Sequence, residues 1–355
     1  MPGGARVVRV GVGCWPIGGP DENLGMPMGW STADPSAARA GLERAFELGA
    51  NLFDTADVYG HGRSERLIGT LLAQVPRAQV AICSKTGYFA GTAPHAFEPR
   101  HMRRQLEQTL ENLGTDYLDL YALHHHDFGP DDRYLPGAVE MIRRFQREGL
   151  VRALGMRGPH RYAPERLTGG PHADKYARFR HLFDQIRPDV LAVRFNLLTP
   201  QAPGGGIFAL ADQHRIPVLV TKPLAQGLLT GKHTAATAPC FGPGDHRARK
   251  SWFTAPALAV LERELAPLSA RFGTEPGALV RVALRYCLQQ SDNAIVLAGF
   301  TNPAQVEQNL TTLGPPLSAQ ELAFAAEVGH AAQQALDAAG EVFLDQRPPA
   351  PGDGR

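Results

Sequence analysis

The chain of 355 residues carries 36 Lys and Arg against 35 Asp and Glu, a formal charge of +1, with the two signs interspersed. That balance leaves no basic footprint for nucleic acid or an anionic membrane, and no stretch approaches a membrane-spanning length. The N-terminus MPGGARVVRVGVG lacks a charged leader followed by a sustained apolar run, and Cys14, Cys83, Cys240 and Cys287 show no CxxC or metal-ligand spacing, so a cytoplasmic protein with reduced thiols is expected.

In chain order, RVVRVGVGCW opens as an apolar strand, and GVGCWPIGG after it has the look of a glycine-rich dinucleotide loop. That likeness fails. Pro16 and a Gly/Pro/Met segment running to residue 30 delay the helix that would receive a pyrophosphate, and the spacing is not GxGxxG. PSAARAGLERAFELG then reads as an amphipathic helix, ANLFDTA as a second strand, QVAICSKTG as a third, and EPRHMRRQLEQTLENLG as another helix. YLDLYALHH, VRALGM, DVLAVRFN, IPVLVTKPL and NAIVLAGF supply five further strands, with YLPGAVEMIRRFQREG a helix between the first two of these. Short strands that are apolar on both faces and alternate with helices mean a parallel sheet covered by helices. Eight such units favour a (β/α)8 TIM barrel with long loops at its C-terminal rim; an open doubly wound sheet is the competing architecture. The expectation is one barrel domain over residues 1–340 and a disordered tail over 341–355, QRPPAPGDGR being too poor in apolar residues to order itself. The Gly/Pro-punctuated segment from about 232 to 256, with Arg249, Trp252 and Phe253, is expected to act as a lid.

In such a barrel, chemistry sits at the C-terminal ends of the strands. Asp54 ends the second strand, Tyr59 lies in the loop after it, Lys85 ends the third, and His124 to His126 end the fourth. A phenol of pKa about 10 holds its proton tightly, and a neighbouring ammonium lowers that value. Lys85 would make Tyr59 a usable acid, Asp54 would hold Lys85, and a histidine could orient the reacting oxygen. Each residue alone has a plainer reading: Asp54 as a turn cap, Tyr59 as packing, Lys85 as a solvated side chain. Their coincidence at three adjacent strand ends argues otherwise. The triple histidine could be a metal site, but neighbouring strand residues alternate faces, so only His124 and His126 could point together, and nothing completes a ligand set.

FDTADVYGHGRSERLIG, LENLGTDYLDLYALHH, PLAQGLLTGKH and GFTNPAQVEQNL, in that order over nearly the whole chain, resemble the aldo-keto reductase superfamily. The resemblance implies a barrel that binds a nicotinamide dinucleotide, usually NADPH with NADH as the alternative, and a small-molecule carbonyl substrate. It implies Tyr59 as proton donor, supported by Asp54 and Lys85, with His124 placing the carbonyl. It puts Leu224, Gln226, Gly227 and Leu229 along the pyrophosphate and Gly299, Thr301, Gln305 and Asn309 around the adenosine. Gln305 and Asn309, one helical turn apart, share a face that could meet adenine or simply water. Trp15 would wall the substrate pocket, a core Trp being the alternative. Three departures stand out: Arg157-Gly158 replaces the usual Ser-Asn after the fifth strand, Ala192 a Gln on the sixth, and Thr221-Lys222 the aromatic before the proline of the seventh. The 2′-phosphate arginine is also missing near Thr301. Altered ring contacts leave two other readings open, a lyase or isomerase using the same acid/base group without redox change, and a non-catalytic cofactor-sensing subunit.

Overall fold

The computed structural model describes residues 6–23, 25–158, 175–199 and 206–339, and so the expected tail 341–355 lies outside the described residues. Eight parallel strands close on themselves: β1 (Val10–Gly13), β2 (Leu52–Asp54), β3 (Ala81–Thr86), β4 (Leu120–Leu123), β5 (Leu154–Arg157), β6 (Val190–Arg194), β7 (Val218–Thr221) and β8 (Ala294–Gly299). Each pairs with its neighbours in sequence, and β1 pairs with both β2 and β8. This is the (β/α)8 barrel, not the open sheet.

Around the barrel run α1 (Pro35–Glu47), α2 (Arg63–Leu72), α3 (Pro99–Leu113), α4 (Leu135–Arg147), α5 (Lys175–Ile186) and α6 (Ile207–His214). Two helices, α7 (Ala255–Phe272) and α8 (Ala278–Leu288), then precede β8, and α9 (Pro303–Thr311) and α10 (Ala319–Ala338) follow it. α10 lies against α7. The starts are set by local chemistry. Asp34 and Glu98 accept bonds from the backbone N–H of Ala37 and His101 at 2.8 Å, each followed by proline in the first turn. Ser318 and Glu321 form a capping box. No described helix is long and apolar enough to cross a membrane.

Side chains alternate along each strand, and the alternation separates two cores. Leu52, Cys83, Leu120, Ala192, Leu219 and Leu297 fill the barrel interior; Phe53, Ile82, Tyr121, Leu191, Val218 and Val296 pack outward beneath the helices. Continuing the inward series two residues at a time brings Asp54, Lys85, His124, Arg157, Arg194, Thr221 and Gly299 to the mouth of the barrel. The polar residues of the sequence motifs are thus the last inward positions of successive strands.

Candidate active site

Asp54 pairs with Cys83 in the β2–β3 register, and Lys85 lies two residues further on the same face. The Lys85 ammonium donates to Asp54 Oδ2 at 2.8 Å and to the Thr55 carbonyl at 2.5 Å, and stands 3.4 Å from the Tyr59 hydroxyl. Asp54 is 5 % exposed and Lys85 2 %. Burial works against the Lys85 charge, but Asp54 and Tyr59 outweigh it and the pKa lies above the ordinary lysine value. Burial also raises the Tyr59 phenol, with Lys85 and Arg157 pulling it back and Asp54 pushing it up. Lys85 does pull the Tyr59 value down, as expected, but desolvation exceeds that pull and the net shift is upward. Tyr59 is a protonated phenol at neutral pH.

Position comes from the loop. Gly60 has φ +64, and a Cβ there would run into the Gly18 carbonyl; a Cβ on Gly18 would meet the Tyr59 carbonyl carbon at 2.8 Å. The two backbones press together, so glycine is required at both places. Arg63 donates to the Gly18 carbonyl at 2.6 Å, and Ser64 to the Cys14 carbonyl at 2.9 Å. Glu65 is buried and accepts from Ser84 at 2.9 Å, Thr109 at 3.0 Å and Asn112 at 2.9 Å. Arg63, Ser64 and Glu65 thus tie the loop after β2 to its neighbours, a role that adjacent polar letters at a helix start do not reveal.

The three histidines diverge. His124, 1 % exposed, is packed edge-on against Tyr88 at 4.6 Å and lies 6.0 Å from the Tyr59 ring, behind the cleft wall. His125 bonds the Gly87 carbonyl at 2.5 Å, and His126 bonds the Arg157 carbonyl. Among the described residues no group of three His, Cys, Asp or Glu could hold a metal ion.

A cleft of about 630 Å³ starts at Asp54, Tyr59 and Lys85 and runs past Leu224, Gln226 and Gly227 to Thr301, Gln305 and Asn309. Trp15 lines its near end, ring centroids 6.1 Å from Tyr59, with its Nε1 donating to the Met28 carbonyl at 2.8 Å. Gln226 and Gly227 sit in a tight turn, Ala225–Thr230, with φ +61 and +105. Gln226 is 8 % exposed and neither of its amide atoms has a protein partner among the described residues. A buried amide left unsatisfied costs free energy that a polar ligand in the cleft would recover. Lys232 lines the cleft near Gly227. Gly299 lines it too, and Asn309 donates to the Gly299 carbonyl at 3.1 Å while Gln305 accepts from the Thr301 N–H at 2.8 Å. An extended dinucleotide fits this lining: glycines where backbone must come close, a cation at the centre, amides and hydroxyls at the far end.

Leu229 is a correction. The turn directs its side chain inward, where it is fully buried in the outer core instead of lining the cleft. Residues absent from the sequence-based expectation are Gly273 to Leu279, the connection from α7 and the first residues of α8, which line the far end, with the Glu275 carboxylate folded against Gly273. The segment expected to act as a lid is a strap tethered over its second half. Asp245 accepts from Ser31 N–H and Oγ at 2.8 Å and pairs with Arg247 at 2.7 Å, and Arg247 stacks 3.8 Å from the Trp30 ring. Trp252 and Phe253 are buried in the outer core.

A family model described as the aldo/keto reductase family matches residues 9–329. A methylglyoxal reductase of Escherichia coli K12 described as NADH-specific is 28% identical over 341 residues, 92% of this chain and 96% of that one. An L-galactose dehydrogenase of Arabidopsis thaliana is 26% identical, the match spanning 87% of this chain and 85% of the relative. Among solved structures, a glycerol dehydrogenase of Gluconobacter oxydans superposes with a TM-score of 0.69 at 25% identity, covering 92% of each chain.

Proposed function

The chain belongs to the aldo/keto reductase family, and from that premise we propose that it reduces an aldehyde or ketone with a nicotinamide dinucleotide, Tyr59 giving the proton. The observation that carries this reading is the Lys85 ammonium, shared between Asp54 at 2.8 Å and Tyr59 at 3.4 Å at the foot of a long cleft. A bound reduced nicotinamide supplies the hydride. The protein supplies the proton and the orientation. Tyr59, kept protonated by burial, gives its proton to the oxygen as negative charge develops there, and Lys85 steadies the phenolate that remains. Asp54 keeps Lys85 charged, and His124, its ring 6.0 Å from that of Tyr59, would help orient the reacting oxygen.

For the cofactor, the family resemblance leads first to NADPH; we favour NADH. The cations that line the cleft are Lys85, Arg157, Lys222 and Lys232, none of them beside Thr301, Gln305 and Asn309, whereas Glu275 lines that end. A 2′-phosphate there would meet a carboxylate and no cation that lines the cleft; ribose hydroxyls would meet an acceptor. One relative is described as NADH-specific.

One experiment covers both parts. Fluorescence titration of the wild type and Tyr59→Phe with NADH and NADPH should give tighter NADH binding by at least about tenfold, unchanged by the substitution. Turnover of a carbonyl panel should fall by roughly 10²- to 10⁴-fold in Tyr59→Phe. Full turnover in the variant would remove Tyr59 from the role, and tighter NADPH binding would remove the cofactor assignment.

A further inference from the structure

We propose that the substrate carries its own negative charge, a carboxylate or phosphate close to the carbonyl, received by Lys222 and Arg157; this rests on the reductase reading above. Both residues line the near end of the cleft, with Tyr59, Lys85 and Trp15. Arg157 is the last inward residue of β5 and faces Ala192 across the β5–β6 register, so the short methyl of Ala192 leaves the barrel mouth to the guanidinium. Lys222 follows β7 with φ +57, a left-handed backbone that a lysine seldom adopts, and its ammonium lies 4.5 Å from the centre of the Trp15 ring. Strain held at a cleft residue is a reason to look for a function. The three places where this sequence departs from its family's neutral ring contacts thus converge on one outcome: two cations facing the reaction site.

No ion pair is formed by Lys222 or Arg157 among the described residues, and the one carboxylate near them at the mouth, Asp54, is engaged by Lys85. Burial holds the Lys222 pKa well below the ordinary value, and Lys250, Arg194 and Arg157 add to the effect. Concentrated, largely buried positive charge of this kind is stabilised by an anion that enters with the ligand. The dinucleotide's phosphates do not serve well for this, because the Gln226–Gly227 turn that would hold them has Lys232 beside it. The nicotinamide ring serves still less, since it becomes positive when it gives up hydride. A substrate anion set between the ring and the two cations offsets that charge. In the step itself the carbonyl carbon gains the hydride and its electron pair, the oxygen gains the Tyr59 proton, and the nicotinamide is oxidised; a 2-oxo acid would leave as the 2-hydroxy acid with its carboxylate unchanged.

The test compares pyruvate with methyl pyruvate, and glyceraldehyde 3-phosphate with glyceraldehyde, as oxidants of NADH, and titrates the protein–NADH complex with oxamate and with inorganic phosphate. At least one charged member should exceed its neutral partner in kcat/KM by about tenfold or more, and the pair in which it does so tells carboxylate from phosphate. Lys222→Met and Arg157→Gln should each cut that ratio, and the matching anion's affinity, by about tenfold, with NADH affinity held within about threefold. Neutral partners turned over as well as charged ones, or failure of both anions to bind, overturns the proposal. So does a loss of NADH affinity in Lys222→Met as large as the loss of anion affinity. If no compound oxidises NADH, the reductase reading fails, and the two titrations still decide whether the anion site exists.

Discussion

Lys85 shows how one side chain can carry both stability and chemistry. Its ammonium is buried, and it is acceptable there because Asp54 and the Thr55 carbonyl accept from it. Removing it alone strands a buried carboxylate, a loss that typically reaches about 3–5 kcal/mol. Lys85→Met should therefore lower both the melting temperature and turnover, the latter by about 10²-fold or more. Adding Asp54→Asn removes the stranded charge. The double variant should regain most of the lost stability and none of the activity, as thermal melts and steady-state rates would show. Recovery of activity together with stability would mean that Lys85 only holds the fold. Lys222 is the contrasting case: among the described residues it has a cationic neighbourhood and no carboxylate partner, so an apolar replacement should fold well, and its effects belong to the ligand.

At the scale of elements, the loop after β2 sets the position of Tyr59 by contact between two backbones. Gly60→Ala would force apart the Tyr59 loop and the turn at Pro16–Gly18, at a position where φ is +64. Displacement of a reacting group by about 1 Å can cost on the order of 10²-fold. The variant should lose turnover by about that much while keeping most of its cofactor affinity; unchanged turnover would show that the loop tolerates the shift. This level of detail is only partly legible in the sequence. The strands are readable because each is buried on both faces and shows it as a short apolar run. Asp54, Lys85 and Tyr59 are readable because different reactive types fall together at strand ends. The Glu65 clasp is not, since its three donors, Ser84, Thr109 and Asn112, come from β3 and α3. Nor is the Gly273–Leu279 connection, whose polar letters match any turn between helices. The inward burial of Leu229 depends on three consecutive positive-φ residues, Ala225, Gln226 and Gly227, the first two of which no sequence rule anticipates.

For the molecule as a whole, the rim is where the fold spends polar groups under constraint, and acid should expose that. His126, held against the Arg157 carbonyl, has its pKa lowered to about 4 by burial, with Arg178, Arg157 and His125 adding to the effect. His233, in the strap beside Lys232 and Arg247, is likewise lowered to about 4, burial again leading. An unfolded chain would protonate both near pH 6.5. The sign follows directly: between about 6.5 and 4 the unfolded state binds more protons than the folded one, so stability falls as pH falls through that window. Below about 4 these two groups contribute nothing further; the buried His126 contributes at most about 1.4 kcal/mol per pH unit of separation between the two states, and the half-exposed His233, screened by solvent, contributes less. Replacing His126 with Gln keeps a side-chain donor for the Arg157 carbonyl and removes the titration. Denaturant midpoints measured from pH 7 to pH 4 should fall less steeply in His126→Gln than in the wild type. Parallel curves would mean that His126 binds its proton as readily in the folded barrel as in the unfolded chain, and that burial against the Arg157 carbonyl does not hold its pKa down.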